Sequence, residues 1–245
     1  MLLFSGATGP DEAIELARAH ALVRRCGAGE LDEAIHIYRP LAPAVVFGRR
    51  DVRLPGFPAA RRSAIEAGFQ VAVRSVGGRA VAYTQNAIVI DHVRHETDAA
   101  AHVSARFAFY GDKVASTLRG LGVDARVGAV PGEYCPGAQS VNARGVTKLV
   151  GTAQRVVRDA WLFSMLITVD DHLRLRRVLQ EVYAHLELEF DPASVGSVRD
   201  EVPTLDHAQL EEALLADLGI GQTSPARLDP ATMRVAQSLV EQHRL

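Results

Sequence analysis

The sequence predicts a single domain of mixed strands and helices, in the α/β or α+β class, followed by a helical tail. The 245 residues suffice for a sizeable core, and 48% hydrophobic with 23% charged residues is an ordinary globular composition. Strand-like and helix-like patterns alternate along the chain, and glycine or proline turns separate neighbouring strands. Two small domains are the alternative that the length leaves open.

The first half of the chain opens with a helix and continues into strands. Residues 11–25 place apolar side chains at helical spacing, with acidic residues in the first turn. The runs "EAIHIYRPL" and "AVVFG" are typical of strands, and proline and glycine bracket a helix at about 58–67. The segment "FQVAVRSVGGRAVAYTQNAIVIDHV" predicts a strand, a glycine turn and a second strand, because β-branched residues favour extended backbone.

The second half continues the alternation and ends in helices. We predict a long helix from about 98 to 121, a strand in "DARVGAV", a β-hairpin within residues 131–157 that turns near Arg144-Gly145, and an apolar strand "AWLFSMLITV" before another helix. Turn residues and two short helices follow. The predicted division is a catalytic domain over residues 1–190 and a helical C-terminal appendage over residues 191–245, packed on the same domain.

Charge and targeting signals exclude several classes of protein. The chain has 27 basic and 29 acidic residues, so it lacks the strong basic field that attracts nucleic acid or anionic lipid. It has no apolar run of about 18 residues, and its first residues lack the basic and apolar regions of a secretory signal. We therefore expect a cytoplasmic protein with neither nucleic acid nor membrane as a partner.

Cysteine and lysine are both scarce, and one of each lies in the same short stretch. The two cysteines are Cys26 and Cys135, too few for a disulfide framework and not spaced as a metal site, so no metal is expected. Lysine occurs only at Lys113 and Lys148, and all other basic residues are arginine. A site that needs a compact ammonium cannot use arginine, which makes the Cys135–Lys148 stretch a candidate site.

Acyl transfer is the chemistry that uses such a pair. The predicted hairpin returns Lys148 towards Cys135, where an ammonium favours the thiolate and can stabilise an oxyanion on an attacked carbonyl. The alternative is that the two residues are unrelated, because an isolated cysteine is usually a small hydrophobe. We interpret Cys26, at the end of the first helix, as structural, and we consider His95 as a base for the thiol.

The paired glycines in "RSVGGRAVAY" form the second candidate feature. Glycines between two strands allow the backbone to approach a ligand closely, although a plain hairpin turn is the alternative. The sequence has no GxxxxGK[ST] motif, and "VGGRA" lacks the spacing of a dinucleotide-binding loop.

Two stretches together resemble a known family. "RSVGGRAVAYTQNAIVI", followed by "NARGVTKLVGTAQRVV", resembles the catalytic domain shared by lipoate-protein ligases, octanoyltransferases and biotin ligases, and the resemblance spans roughly residues 10–185. It implies an α+β fold with a mixed, mainly antiparallel sheet and flanking helices. It also implies site residues: the lysine and glycine of the K-x-x-G motif and a nearby glutamine fall on Lys148, Gly151 and Gln154, and the ligand loop falls on Arg74, Gly77 and Gly78.

The turn "EYCPG" resembles that of amidotransferases that move an octanoyl or lipoyl group from the glycine cleavage H protein to other lipoyl domains. This resemblance implies that Cys135 carries the acyl group as a thioester and that Lys148 polarises its carbonyl. The implied partners are lipoyl-domain carriers such as the H protein and the E2 subunits of 2-oxoacid dehydrogenases. No metal or ATP is then required.

Two other functions stay open. One is a lipoate-protein ligase that uses ATP and Mg and in which Cys135 is incidental, and the other is a carrier-binding protein without catalysis. Ligase loops usually carry a third glycine and a Tyr-His pair, whereas here Arg79 follows the glycines and Thr84 follows Tyr83. This difference favours the transferase, with Arg79 as a further substrate-binding residue.

Overall fold

The protein folds as α+β, as predicted. A computed structural model describes residues 1–7, 9–219 and 226–245. The strands are β1 (Leu2–Ser5), β2 (Glu33–Tyr38), β3 (Ala44–Phe47), β4 (Gln70–Val73), β5 (Val81–Tyr83), β6 (Ala87–His95), β7 (Ala125–Val127), β8 (Val141–Ala143), β9 (Thr147–Val157) and β10 (Ala160–Thr168). The helices are α1 (Glu12–Gly27), α2 (Phe57–Glu66), α3 (Val103–Gly120), α4 (His172–His185), α5 (Val198–Glu201), α6 (His207–Asp217) and α7 (Pro230–Leu239).

The strands form two sheets. The larger has the order β1-β2-β6-β10-β9-β8-β7, and the smaller has the order β4-β3-β5. The pairs β1–β2 and β3–β4 are parallel, and the other pairs are antiparallel. The mixed, mainly antiparallel sheet implied by the family resemblance is therefore confirmed.

Helices cover both faces of the larger sheet. On one face, apolar side chains of α3 and α6 pack on those of β2, β6 and β10; they include Val114, Leu118, Leu210, Ile35, Ile90 and Phe163. On the other face, α1 packs on the same central strands through Leu22, Val23, Val93 and Leu162. The smaller sheet packs against α2 and α4. Strands buried on both faces read as continuous apolar runs, which explains the pattern of β10.

Three elements differ from their prediction. Strand β1 was not predicted, and it pairs in parallel with β2 over four residues. Helix α3 begins at Val103 rather than near residue 98, because the Arg106 guanidinium donates to the Ala99 carbonyl oxygen and holds the preceding segment in turns. Strand β7 ends at Val127, where the Gly128 N–H bonds to the Ser140 carbonyl oxygen at 2.8 Å and the chain leaves the sheet.

The C-terminal segment packs closely on the rest of the fold. Helix α7 buries Ala236 and Leu239 against Ala17 and Ala21 of α1. The division into a catalytic domain and an appendage at residue 191 stays a prediction, and residues 220–225 of that appendage lie outside the described residues. Among the helices in the described ranges, none combines the length and apolar character that a bilayer span needs.

Candidate functional site

The loop between β7 and β8 carries Cys135. This residue takes a left-handed backbone conformation, with φ of 44°. Its N–H donates to the Tyr183 hydroxyl oxygen at 2.7 Å, and that hydroxyl donates to the Ala80 carbonyl oxygen at 2.9 Å. Tyr183 lies on α4, so a buried side chain from a distant helix fixes the backbone of the cysteine.

The buried Glu133 carboxylate holds the loop together through hydrogen bonds to other residues of the same loop. Its Oε1 accepts hydrogen bonds from the Gly137 N–H and the Ser140 hydroxyl, both at 2.8 Å. The same oxygen lies 3.6 Å from the Lys148 Nζ, and both side chains are almost fully buried. A carboxylate thus satisfies a backbone donor of the "YCPG" turn and faces the ammonium beneath it.

The Cys135 sulfur accepts two hydrogen bonds. Arg74 Nη2 and the Arg79 backbone N–H each lie 3.2 Å from Sγ. Arg74 Nη2 also donates to the Arg79 carbonyl oxygen at 2.6 Å, which ties the guanidinium to the glycine loop. Burial raises the pKa of the thiol, but the charges of Arg74 and Lys148 and the bond from Arg79 outweigh it and lower the pKa below its usual value.

Lys148 lies beneath the same turn. Its Nζ donates to the carbonyl oxygens of Tyr134 at 3.0 Å and Cys135 at 2.9 Å. Burial lowers the pKa of the ammonium, and Glu133 opposes that effect. The structure therefore brings Lys148 to the Cys135 turn through backbone carbonyls, whereas the direct partners of the sulfur are Arg74 and Arg79.

Of the paired glycines, only Gly78 is constrained by its surroundings. It has φ of +104°, and a Cβ atom there would lie 2.4 Å from Arg74 Nη2 and 2.6 Å from Cys135 Sγ. Apart from its two chain neighbours, a Cβ atom at Gly77 would meet no atom of the described residues within 4 Å. Glycine is therefore required at position 78 because the backbone there lies close to the Cys135 thiol and the Arg74 guanidinium.

The remaining predicted residues lie around this centre. The Arg79 side chain turns away from the thiol and donates to Asp51 Oδ1 at 3.1 Å, so only its backbone faces the sulfur. Gly151 lines the cavity next to Lys148. Gln154 also lines the cavity, with its Nε2 donating to the Val103 carbonyl oxygen at 2.8 Å.

A cavity of about 600 Å³ extends from Cys135 between α1 and the larger sheet. This volume is within the range of about 300–1,000 Å³ typical of small-molecule sites. Most of its wall is apolar and includes Leu16, Val89, Val156, Leu162 and Leu166. The geometry therefore joins a thiol of lowered pKa to a space suited to an apolar chain.

The two cysteines have opposite environments. Cys26 is fully buried, and burial raises the pKa of its thiol to about 12. The structure places His95 beside Cys26, with Nδ1 2.8 Å from its carbonyl oxygen, and so does not bring this histidine to Cys135.

The sequence analysis did not identify three residues that shape the site, which are Glu133, Asp51 and Tyr183. Glu133 is the first residue of the "EYCPG" turn, whereas Asp51 and Tyr183 carry no local sequence signal.

Across the described part of the chain, His, Cys, Asp and Glu side chains do not gather in groups of three that could bind a metal ion.

Comparisons with known proteins give one consistent family. The profile of the lipoyl protein ligase A/B catalytic domain matches residues 11–219. An octanoyl-[GcvH]:protein N-octanoyltransferase of Geobacillus kaustophilus is 27% identical over 202 residues, which cover 82% of this chain and 70% of that protein.

Solved structures share the fold at low sequence identity. A lipoate-protein ligase A bound with ATP superposes with a TM-score of 0.77 at 21% identity, covering 98% of this chain and 93% of the other. The bipartite lipoate protein ligase of Thermoplasma acidophilum, studied with its E2 lipoyl domain, gives a TM-score of 0.72 at 19% identity, with 98% and 91% covered. These likenesses establish the fold alone.

Proposed function

We propose, because this chain belongs to the lipoyl protein ligase A/B catalytic domain family, that it transfers an octanoyl or lipoyl group to a lysine of a lipoyl-domain carrier protein. In this proposal the acyl group passes through a thioester on Cys135. The enzyme is then an acyltransferase that needs neither ATP nor a metal ion.

The observation that carries the proposal is the environment of the Cys135 sulfur. Two donors, Arg74 Nη2 and the Arg79 N–H, lie 3.2 Å from Sγ, and the sulfur borders the apolar cavity. The thiolate is the nucleophilic form of cysteine, and neighbouring positive charge increases its population at neutral pH. A structural cysteine would have no need of these donors, as Cys26 illustrates.

The first half of the reaction loads the enzyme. The Cys135 thiolate attacks the carbonyl carbon of the acyl-lysine on the donor protein and forms a C–S bond. Negative charge then develops on the carbonyl oxygen, and the Arg74 guanidinium beside the sulfur is placed to stabilise it. The C–N bond breaks, the nitrogen takes up a proton, and the donor lysine leaves as an amine.

The second half returns the acyl group to an amine. The acceptor lysine, as a neutral amine, attacks the thioester carbonyl, the C–S bond breaks and Cys135 leaves as a thiolate. The new amide loses the extra proton from its nitrogen. Lys148 holds the Cys135 turn through two carbonyl oxygens throughout, and its charge favours the departing thiolate.

The cavity supplies binding energy for the acyl chain. Burial of each CH₂ group contributes about 0.8 kcal/mol, so a chain of octanoyl length gains several kcal/mol from an apolar wall. That gain orients the acyl carbonyl next to Cys135 without any contact to a nucleotide.

Carrier proteins with lipoyl domains are the proposed partners. The relative from Geobacillus kaustophilus is named for transfer from GcvH, and the Thermoplasma ligase was studied with an E2 lipoyl domain. Both names support a small carrier domain as donor or acceptor for this chain.

Intact-protein mass spectrometry tests the thioester directly. After incubation with octanoylated H protein, the wild type should gain one octanoyl mass that hydroxylamine removes. Cys135→Ser should gain no such mass, and the matched control Cys26→Ser should gain it like the wild type.

The competing ligase function has its own signature. Lipoate-dependent ATP–pyrophosphate exchange that persists in Cys135→Ser would overturn the transferase proposal.

The role of the Lys148 ammonium has a separate test. Lys148→Arg should lower the rate of acyl transfer strongly, because the larger planar group cannot occupy a buried site built around a compact ammonium. Full transfer by this variant would remove the proposed role of the ammonium.

A further inference from the structure

Three arginines from distant parts of the chain lie beside the glycine loop, residues 74–79. Arg24 lies on α1, Arg49 follows β3 and Arg155 lies on β9. We call these three residues the arginine cluster. Within the described ranges, none of them takes part in an ion pair. The cluster therefore presents positive charge that the described part of the protein does not neutralise by contact.

Two members of the cluster lie on the side of the larger sheet that α1 covers. Arg155 pairs in register with Leu162 of β10, which packs on α1, so both side chains project from the same side. Arg155 Nη1 donates to the Ser75 carbonyl oxygen at 2.9 Å, which attaches the guanidinium to the glycine loop. Its Nε is buried and has no hydrogen-bond partner among the described residues. Arg24 lies on α1 one turn beyond His20 and is exposed.

The third member, Arg49, lies near the thiol. It follows Gly48, where a Cβ atom would lie 2.0 Å from the Gly78 carbonyl oxygen, so the two backbones are in contact. A Cβ atom at Gly78 would in turn lie 2.6 Å from Cys135 Sγ. Arg49 is itself exposed to solvent. The arginine cluster thus borders the surface next to the nucleophile.

The charges of the cluster act on common neighbours. The pKa of the buried His20 is lowered to about 3, first by burial and then by four basic residues, which are Arg155, His243, Arg24 and Arg49. Burial lowers the pKa of Arg155, and the charges of Arg49 and Arg24 add to that effect. Like charges held this closely repel each other, and a bound anion relieves the repulsion.

We propose that the arginine cluster is a docking surface for the carrier protein and that it binds carboxylates on the carrier next to its acyl-lysine. The docking surface rests on the proposed function, in which the acyl-lysine of a carrier reaches Cys135. A lysine side chain is short, so the body of the carrier must contact the surface that surrounds the thiol. Guanidinium groups bind carboxylates through paired hydrogen bonds, and complementary charge accelerates association about 10- to 1,000-fold.

The test compares a protein donor with a small donor on the same enzymes. The double variant Arg24→Gln/Arg49→Gln removes two positive charges from the cluster. Its control, Arg119→Glu, changes the net charge by the same two units at an exposed position of α3, which covers the opposite side of the larger sheet. Each enzyme is acylated on Cys135 by octanoylated H protein and by octanoyl-N-acetylcysteamine, a thioester without carboxylates, and intact mass gives kcat/KM for both donors.

The expected result is a change in the ratio of these two kcat/KM values, protein donor over small donor. At low ionic strength the ratio should be at least about tenfold lower in the double variant than in the wild type and in Arg119→Glu. In 1 M NaCl, where the Debye length is about 3 Å, the ratios of wild type and double variant should converge.

A binding measurement tests the docking surface without catalysis. In the Cys135→Ser background, the Kd for octanoylated H protein should rise at least about tenfold when Arg24→Gln/Arg49→Gln is added. The same addition should have little effect on the Kd for an H protein whose carboxylates nearest the acyl-lysine are replaced by amides, because interacting pairs are not additive.

The outcomes separate the docking surface from the proposed function. Equal ratios and equal Kd values in the presence and absence of the double substitution would overturn the docking surface and leave the thioester proposal standing, and so would an equal decrease in Arg119→Glu. Failure of both donors to acylate Cys135, with a Kd that still depends on the cluster, would overturn the thioester and support the docking surface. Loss of lipoate-dependent ATP–pyrophosphate exchange in the double variant, with an unchanged Kd, would assign the cluster to nucleotide phosphates and overturn the docking surface.

Discussion

Gly78→Ala is a sensitive probe of the candidate site, because the change adds one methyl group at its centre. The new Cβ atom would lie 2.4 Å from Arg74 Nη2 and 2.6 Å from Cys135 Sγ, and contacts below 3.0 Å force one of these atoms to move. The adjacent Gly77→Ala is the matched control, since its Cβ atom meets nothing within 4 Å in the described part of the chain and its φ lies outside the left-handed region.

The expected magnitude combines backbone and contact effects. A φ of +104° at Gly78 disfavours alanine, with left-handed conformations costing about 1–2 kcal/mol, and crowding in a packed site costs about 1–3 kcal/mol. Displacement of Arg74 also removes a hydrogen bond to a charged sulfur, worth about 1.5–3 kcal/mol, which corresponds to at least a tenfold decrease in thiolate population.

Two measurements check this prediction. Iodoacetamide alkylation of Cys135 at neutral pH should be at least about tenfold slower in Gly78→Ala than in Gly77→Ala, and urea denaturation should show a lower free energy of unfolding only for the former. Equal alkylation rates and equal stabilities of the two variants would refute the contact between Gly78, the guanidinium and the sulfur.

Three further predictions concern buried charges. Glu133→Gln should lower the free energy of unfolding by about 3 kcal/mol, because it leaves the buried Lys148 ammonium without its ion-pair partner. The control Glu30→Gln removes the ion pair with Arg25, whose carboxylate partner is 56% exposed, and should lower the free energy of unfolding by less than about 1 kcal/mol. Equal losses in the two variants would contradict a stabilising buried pair between Glu133 and Lys148. The pH–rate profile of Cys135 alkylation should rise at a lower pH than that of free cysteine, because neighbouring cations lower the thiol pKa; coincident profiles would contradict this. Burial raises the pKa of Glu12 from its ordinary 4.5 to about 8, so the folded state keeps a proton that the unfolded state releases. The free energy of unfolding should therefore fall as the pH rises from 4.5 to 8, and it should fall more in the wild type than in Glu12→Gln. Identical plots of unfolding free energy against pH for the two proteins would refute this.

Local pairing explains why much of the fold was predictable. The hairpin of β8 and β9 turns at Arg144 and Gly145, with φ of 56° and 77°, as the sequence predicted from these residues. Strand β1 was missed because four residues carry too little pattern, and its parallel partner β2 begins 28 positions beyond its end. The separation of the strands into two sheets likewise depends on long-range pairing that no local pattern encodes.

The same distinction applies to the candidate site. Lys148 reaches the Cys135 turn because the hairpin folds back over 13 positions, a local event. Arg74, which follows β4 of the other sheet, donates a hydrogen bond to the Cys135 sulfur from 61 positions away. The Tyr183 hydroxyl accepts a hydrogen bond from the Cys135 backbone N–H over 48 positions. The sequence motif therefore predicted that Arg74 belongs to the ligand-binding loop. Its hydrogen bond to the Cys135 thiol depends on how the two sheets pack, which the motif does not encode.

The scarcity of lysine has a consequence for an enzyme that holds an activated acyl group. A thioester that awaits an amine can also modify amines on its own surface, and guanidinium groups, which stay protonated, do not react in this way. Of the two lysines, Lys148 is 1% exposed and donates to two carbonyl oxygens, and Lys113 is half-buried with its Nζ 5.9 Å from the Phe109 ring centroid. If the proposed thioester on Cys135 forms, a surface whose basic residues are almost all arginine therefore limits self-acylation.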